Sequence, residues 1–238
     1  MSVWLNIDLG ELPGEPEALY AYAHIANVAC GGHAGDDASM KRAISLCRTF
    51  GTRLGAHPSY PDRDGFGRRP LALSPATLRA HLAEQCGRLA SLARELGEPI
   101  ATVKPHGALY HAAHRDPALA EALVEASLES LGTEVVVIGP PRGALAAAAA
   151  GAGLGYAREA FADRRVRPDG SLVARGEPGA LVLDPVDAAA RARERARDPD
   201  IDTICVHGDT PQAVVLAGAV RSALDAAARE PFERAARA

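Results

Sequence analysis

Short apolar runs alternate along this chain with longer stretches whose apolar residues recur about every 3.6 positions. The runs are Val3–Ile7, Ile25–Ala29, Arg53–Ala56, Ala101–Lys104, Val135–Ile138, Gly155–Arg158 and Thr203–Val206, and each predicts a buried strand. The intervening stretches predict helices. Residues 37–50 put Met40, Ala43, Ile44 and Cys47 on one face and stop at Gly51, a natural helix end. Residues 74–97 open with Ser74-Pro75 and 117–131 with Asp116-Pro117. Residues 185–197 open with Asp184-Pro185 and 211–229 with Thr210-Pro211. Each of these pairs joins a capping side chain to a proline pre-set for the first turn. The run Ala144–Ala150 reads as a low-complexity helix. Capped helices between short buried strands predict parallel βα units with right-handed crossovers. A length of 238 residues suits one such domain, a β/α barrel or a doubly wound sheet over 1–238.

Two segments break the rhythm, 58–73 and 160–180, both rich in Gly, Pro, Asp and Arg. Asp169-Gly170 looks like a turn between two extended pieces, so the second segment reads as a hairpin-like insert.

Composition narrows the function classes. The formal net charge is −4 and aromatics make up 4%. With no basic stripe and no aromatic platform, nucleic acid is not expected as a partner. No apolar run approaches the roughly 20 residues that span a bilayer, so no membrane is expected. The first residues, MSVWLNIDLGE, lack a basic region followed by a long apolar one, which predicts a cytoplasmic protein. Cys30, Cys47, Cys86 and Cys205 are widely spaced, form no CxxC pair and read as buried free thiols. Cys30 opens a glycine loop and alone among them reads as lying near the chemistry. Arg outnumbers Lys by 24 to 2, which makes Lys104 stand out within a polar loop.

Polar groups gather where the strands end. NIDLGE carries Asp8 and Glu11, and NVACGGHAGD carries Asn27, His33 and Asp36. GAHPSYPDRDGFGRR carries His57, and VKPHGALYH carries Lys104, His106 and Tyr110. EAFADRR carries Glu159, Asp163 and Arg164, and ICVHGD carries His207 and Asp209. In a parallel sheet all carboxyl ends face one way, so these groups should share one mouth and accept a small-molecule substrate. A lone histidine at a strand end is ordinarily structural; His33, His57, His106 and His207 after four different strands are harder to explain by packing. Convergent histidines with carboxylates suit a divalent metal or acid–base catalysis. If a metal binds, His33, His57 and His106 are its expected ligands. Asp8, Glu11, Lys104, His106, Glu159, Arg164 and His207 are the expected catalytic groups. Asn27, Asp36, Tyr110, Asp163 and Asp209 are expected to bind substrate. Glu11 has a competing role as a helix cap, and the EAFADRR charges as an ion network fixing the insert. The loops CGGHAG and DGFGRR match no nucleotide-binding pattern, although helix-start amides there could hold an anion.

Taken together and in order, NIDLGE, NVACGGHAGD, GAHPSYPDRDGFGRR, VKPHGALYH, EAFADRR-x-RPDGSL, RGEPGALV and ICVHGDTPQAV resemble the LamB/YcsF family, from about Asn6 to the last helix. The resemblance implies a TIM-like (β/α) barrel of the glycoside hydrolase/deacetylase type with seven strands. It implies the A subunit of a prokaryotic 5-oxoprolinase, acting with B and C subunits. The reaction would open 5-oxo-L-proline to L-glutamate at the expense of ATP, by phosphorylation of the lactam oxygen and attack of water. ATP is therefore expected as a cofactor of the complex. Ile7 stands where the family usually has Cys, and Gly32 where it usually has an aromatic residue, which is expected to enlarge the pocket. Two other readings remain open: a stand-alone metal-dependent amidohydrolase or deacetylase acting on a small amide or sugar, and a non-catalytic subunit that presents substrate to the other chains.

Overall fold

In a computed structural model, which describes residues 3–167 and 172–227, seven parallel strands close into a barrel in chain order. The strands are β1 (Trp4–Leu9), β2 (Ile25–Ala29), β3 (Arg53–His57), β4 (Ile100–Val103), β5 (Val136–Gly139), β6 (Gly155–Phe161) and β7 (Thr203–His207). The helices are α1 (Ala18–Tyr22), α2 (Asp37–Phe50), α3 (Pro75–Glu95), α4 (Gly107–Arg115), α5 (Pro117–Leu131), α6 (Ala144–Gly151), α7 (Pro185–Arg195) and α8 (Ala213–Ala226). β1 pairs with β2 on one side and β7 on the other, with Asp8 beside both Asn27 and His207.

Several helix starts form as their side chains dictate. Ser74 caps α3 through Thr77, Asp116 caps α5 through Ala118, and Asp184 caps α7 through Val186 and Asp187. The last helix departs from expectation: α8 begins at Ala213 and Gln212 precedes it with φ +62°. Thr210 does not cap it, because its hydroxyl donates instead to Asp163 at 2.8 Å. The five-residue helix α1 has no side-chain cap and left no sequence signal. Antiparallel bridges join Arg164 to Leu181 and Val166 to Leu172. The Asp169-Gly170 turn, and the end of the helix expected at 211–229, lie outside the described residues.

The period of two along each strand decides what the barrel encloses. Leu5, Ile7, Leu9, Ala26, Val28, Val103, Val137, Ile204 and Val206 turn outward into the core under the helices. The alternate residues turn inward. Trp4, Ile25, Ile138 and Ala157 form an apolar plug, separate from the outer core. Above it Asn6 donates to Thr203 Oγ1 at 2.9 Å, and Asn27 donates to Asn6 Oδ1 at 2.8 Å. Gly55 makes room for this polar layer, since a Cβ there would lie 2.3 Å from Thr102 Oγ1. Asp8, His57, Glu159, Cys205 and His207 continue the same inward register toward the carboxyl ends. Ile7 is outward-facing, so a residue at that position packs against helices instead of entering the barrel. Among the described residues no helix is long and apolar enough to cross a membrane.

Candidate active site

Lys104 lies at the centre of the inward-facing polar groups. Its Nζ stands 2.9 and 3.2 Å from the two Asp8 oxygens, 3.1 Å from Asn6 Oδ1, 3.1 Å from Cys205 Sγ and 2.8 Å from Glu159 Oε1. Five acceptors surround three N–H groups, so no donor is left for a substrate. Burial acts to discharge the ammonium, but Asp8, Cys205 and Glu159 outweigh it and hold its pKa well above the usual lysine value. Burial likewise acts to raise Asp8, but His57 and Lys104 hold its carboxyl well below the usual range. Such a carboxylate is a weak base; it fixes its cationic neighbours in place.

Three histidines and Glu11 form a second cluster beside Asp8, each offering one donor atom within 4.8 Å of the others. Two tautomers follow from backbone carbonyls, which only accept. His57 Nδ1–H donates to the Lys104 carbonyl at 2.7 Å, so its Nε2 carries a lone pair when neutral. His106 Nε2–H donates to the Phe66 carbonyl at 3.0 Å, so its Nδ1 carries one too. Those two nitrogens face each other at 3.0 Å, and Glu11 Oε1 lies 3.7 Å from the first and 3.2 Å from the second. Three lone-pair atoms converge with no hydrogen between them in the neutral state, an arrangement that requires a proton or a metal ion. A four-coordinate ion with bonds of about 2.0–2.1 Å spaces its ligands about 3.3 Å apart, which these separations match. The cluster could therefore hold a divalent metal through Glu11, His57 and His106.

His33, expected as a third ligand, belongs to the same cluster, its donor atom within 4.8 Å of those of Glu11, His57 and His106. Its ring lies parallel to His106 at 3.7 Å, with 3° between the planes. In-plane lone pairs from two parallel rings do not point at a single spot, which makes His57 and His106, set edge-on to each other, the better-aligned pair. His33 Nε2 instead lies 3.0 Å from Glu11 Oε1, where an N–H can orient that carboxylate. Burial, then the neighbouring His106, push its pKa down to about 3, so it remains neutral. Phe66, with φ +54°, sets its ring edge-on to both His33 and His106. Gly67 approaches closely from behind, where a Cβ would lie 2.9 Å from each of them.

His207, at the end of β7, forms a third group. Asp163 accepts its Nδ1–H at 3.0 Å, its backbone N–H at 2.9 Å and the Thr210 hydroxyl at 2.8 Å. Burial acts to raise Asp163, but His207 and these hydrogen bonds hold its carboxyl low, so it stays charged. Its Nδ1 proton thus fixed, His207 presents Nε2, 3.8 Å from Asp8 Oδ2, to the cavity. Phe161 stacks on the ring at 5.9 Å.

These groups line one cavity of about 280 Å3, with Asp8, His57, Lys104, His106, Tyr110, Arg164 and His207 on its wall. That size suits a small ligand. Several expected substrate contacts are elsewhere. Asp36 is a correction: it is exposed, caps α2 through Ser39 and faces a different surface groove. Asp163 is sealed at 0% exposure behind His207, and Asn27 is buried beneath Asp8, donating to it at 2.8 Å. Asp209 binds Arg68 and, at 2.7 Å, Arg175. Glu159 lies within β6 and not in the loop after it, because the strand runs on to Phe161. Glu11 is no helix cap, since α1 starts only at Ala18. Nor does Gly32 enlarge the pocket: Gln85 and Ser59 occupy the space a side chain would need, 2.3 and 2.5 Å from a Cβ there. Cys205, and not Cys30, is the thiol among the reacting groups. Burial and Asp8 push it well above an ordinary thiol pKa, which argues against a nucleophile.

The family model described as LamB/YcsF family matches residues 3–236. The A subunit of 5-oxoprolinase from Methylococcus capsulatus is 45% identical, over 93% of this chain and 92% of the relative. Its counterpart in Pyrococcus abyssi is 38% identical, over 94% of each. A solved lactam utilization protein from Thermus thermophilus superposes with a TM-score of 0.85 at 36% identity, covering 95% of this chain and 97% of its own.

Proposed function

The chain belongs to the LamB/YcsF family, and on that premise we propose that it is the hydrolytic component of a 5-oxoprolinase, opening 5-oxo-L-proline to L-glutamate. The observation that carries the reading is a small cavity walled both by a carboxylate-backed histidine and by a cluster of lone pairs seeking a cation.

Once the assembled enzyme has transferred the γ-phosphoryl group of ATP to the lactam oxygen, water adds to the lactam carbonyl carbon. The ring C–N bond breaks to leave γ-glutamyl phosphate, the ring nitrogen takes a proton, and a second water releases phosphate and L-glutamate. His207 Nε2 receives the proton from water and returns it to the departing nitrogen, while Asp163 holds the imidazole in the tautomer this needs. Lys104 holds Asp8 and Glu159 in register. Asp8 balances the charge on Lys104 and lies 3.4 Å from His57 Nε2. A divalent ion held by Glu11, His57 and His106 would act as a Lewis acid toward the carbonyl oxygen. Hydrolysis of an unstrained five-membered lactam is unfavourable near neutrality, so the reading assigns ATP-driven activation to the assembled enzyme, with B and C subunits supplying it.

Glutamate release from 5-oxoproline should be measured for the chain alone and with its partner subunits, with and without ATP. Release only from the ATP-supplied complex, abolished by Asp163→Asn, is the expected result. Release by the chain alone would favour a stand-alone amidohydrolase. Full activity in a complex carrying Asp163→Asn and Asp8→Asn would favour a substrate-presenting role.

A further inference from the structure

Three guanidinium groups stand on the wall of the same cavity: Arg68 from the loop after β3, Arg164 from just beyond β6, and Arg175 further along that segment. Among the described residues one carboxylate answers them. Asp209 pairs with Arg68 and with Arg175. Arg164 has no such partner among those residues. It is only 6% exposed, its Nη2 donates to the Val173 carbonyl at 2.7 Å, and its Nε is buried without an acceptor there. The adjacent Asp163 is already engaged by His207 and Thr210. Burial first, and Arg175 next, press the Arg164 guanidinium to give up its charge. A buried cation among cations, with an unused donor, is unfavourable until an anion arrives.

We infer that Arg164, flanked by Arg175 and Arg68, receives the carboxylate of the substrate, and that these residues make the site selective for lactams bearing an acid group. The inference rests on the lactam reading above and extends it to recognition. Arg164 is then a recognition residue and not the group that stabilises charge on the reacting oxygen.

The test is calorimetric titration of the full-length chain with 5-oxo-L-proline, its neutral primary amide, succinate and inorganic phosphate. The wild type should prefer the acid to the amide by about 10- to 100-fold. Arg164→Gln should erase that preference while leaving the affinity for the amide unchanged. Arg175→Gln, on a more exposed segment with less risk to folding, should reduce the preference about threefold or more and raise KM in the complex with little change in kcat. A preference that survives Arg164→Gln overturns the inference, and so does equal weakening of both lactams. Arg164-dependent phosphate binding tighter than that of 5-oxoproline overturns the carboxylate assignment. Succinate bound through Arg164 with neither lactam bound would refute the lactam reading and leave the anion site standing. No binding of any small carboxylate overturns the inference.

Discussion

Replacing Asp163 with Asn tests the proton-transfer assignment with almost no change in volume. The orientation of the new amide is dictated by its surroundings. Asp163 Oδ2 accepts both the His207 backbone N–H and the Thr210 hydroxyl, so an oxygen must remain there. The amide nitrogen then faces His207 Nδ1 in place of Oδ1, which stood 3.0 Å away. An amide nitrogen only donates, so His207 Nδ1–H loses its Oδ1 acceptor and keeps only Oδ2, 3.1 Å away and already shared with two other donors, which shifts the imidazole toward the tautomer protonated on Nε2. In that tautomer the nitrogen facing the cavity is unable to take a proton. Loss of a general base costs about 10²–10⁴-fold in kcat, or about 2.7–5.4 kcal/mol of barrier. The fold should lose about 1–3 kcal/mol from the weakened buried hydrogen bonds, a Tm decrease of about 2–12 °C. Turnover is measured as glutamate release by the complete complex, and stability by thermal unfolding of the chain. Because the two residues act as a unit, adding Asp163→Asn to His207→Gln should cost little more than His207→Gln alone. A kcat within threefold of wild type, or losses that multiply in the double variant, would refute the assignment.

Asp8→Asn should lower kcat by about 10²-fold or more and cost stability, because Lys104 loses one of its two anionic partners. Breaking a buried pair costs about 3–5 kcal/mol, and the loss in urea unfolding should fall below that range because Glu159 still holds the ammonium. For the metal, Glu11→Gln or His106→Gln should abolish uptake of one equivalent of zinc, followed by elemental analysis after dialysis, while His33→Gln should retain most of it. Equal loss in all three would show that the parallel ring is a ligand after all. Away from the site, His24 accepts the Leu5 N–H at Nδ1 and stacks on Trp4, the only tryptophan. Burial pushes its pKa down to about 4. A histidine depressed on folding contributes stability above its unfolded pKa of about 6.5 and loses it as pH falls toward 4. Partial exposure limits the effect to about 1–2 kcal/mol. Trp4 fluorescence should titrate with a midpoint near pH 4 and lose that step in His24→Gln; a midpoint near 6.5 would contradict the buried neutral imidazole.

The alternation of apolar runs and capped helices was enough to determine a parallel sheet, because strand burial and helix capping are local properties written into neighbouring residues. The matching family motifs extended this to a seven-stranded barrel, and strand ends carrying Asp8, His57, Lys104 and His207 marked which edge holds the chemistry. What each group does there was not legible. Glu159 was expected in a loop because nothing in EAFADRR marks where the strand stops. Asp36 read as a substrate contact because a capping aspartate and a binding one look alike in sequence. Thr210, a good cap before a proline, serves Asp163 instead, and Cys205 proved to touch Lys104 across 101 positions of chain. Protonation, partnership and reach depend on atoms brought together from distant segments. Only closure of the barrel sets His57 Nε2 against His106 Nδ1, places Asp163 behind His207 and, among the described residues, leaves Arg164 without a free anion, because those relations exist between strands and not along them.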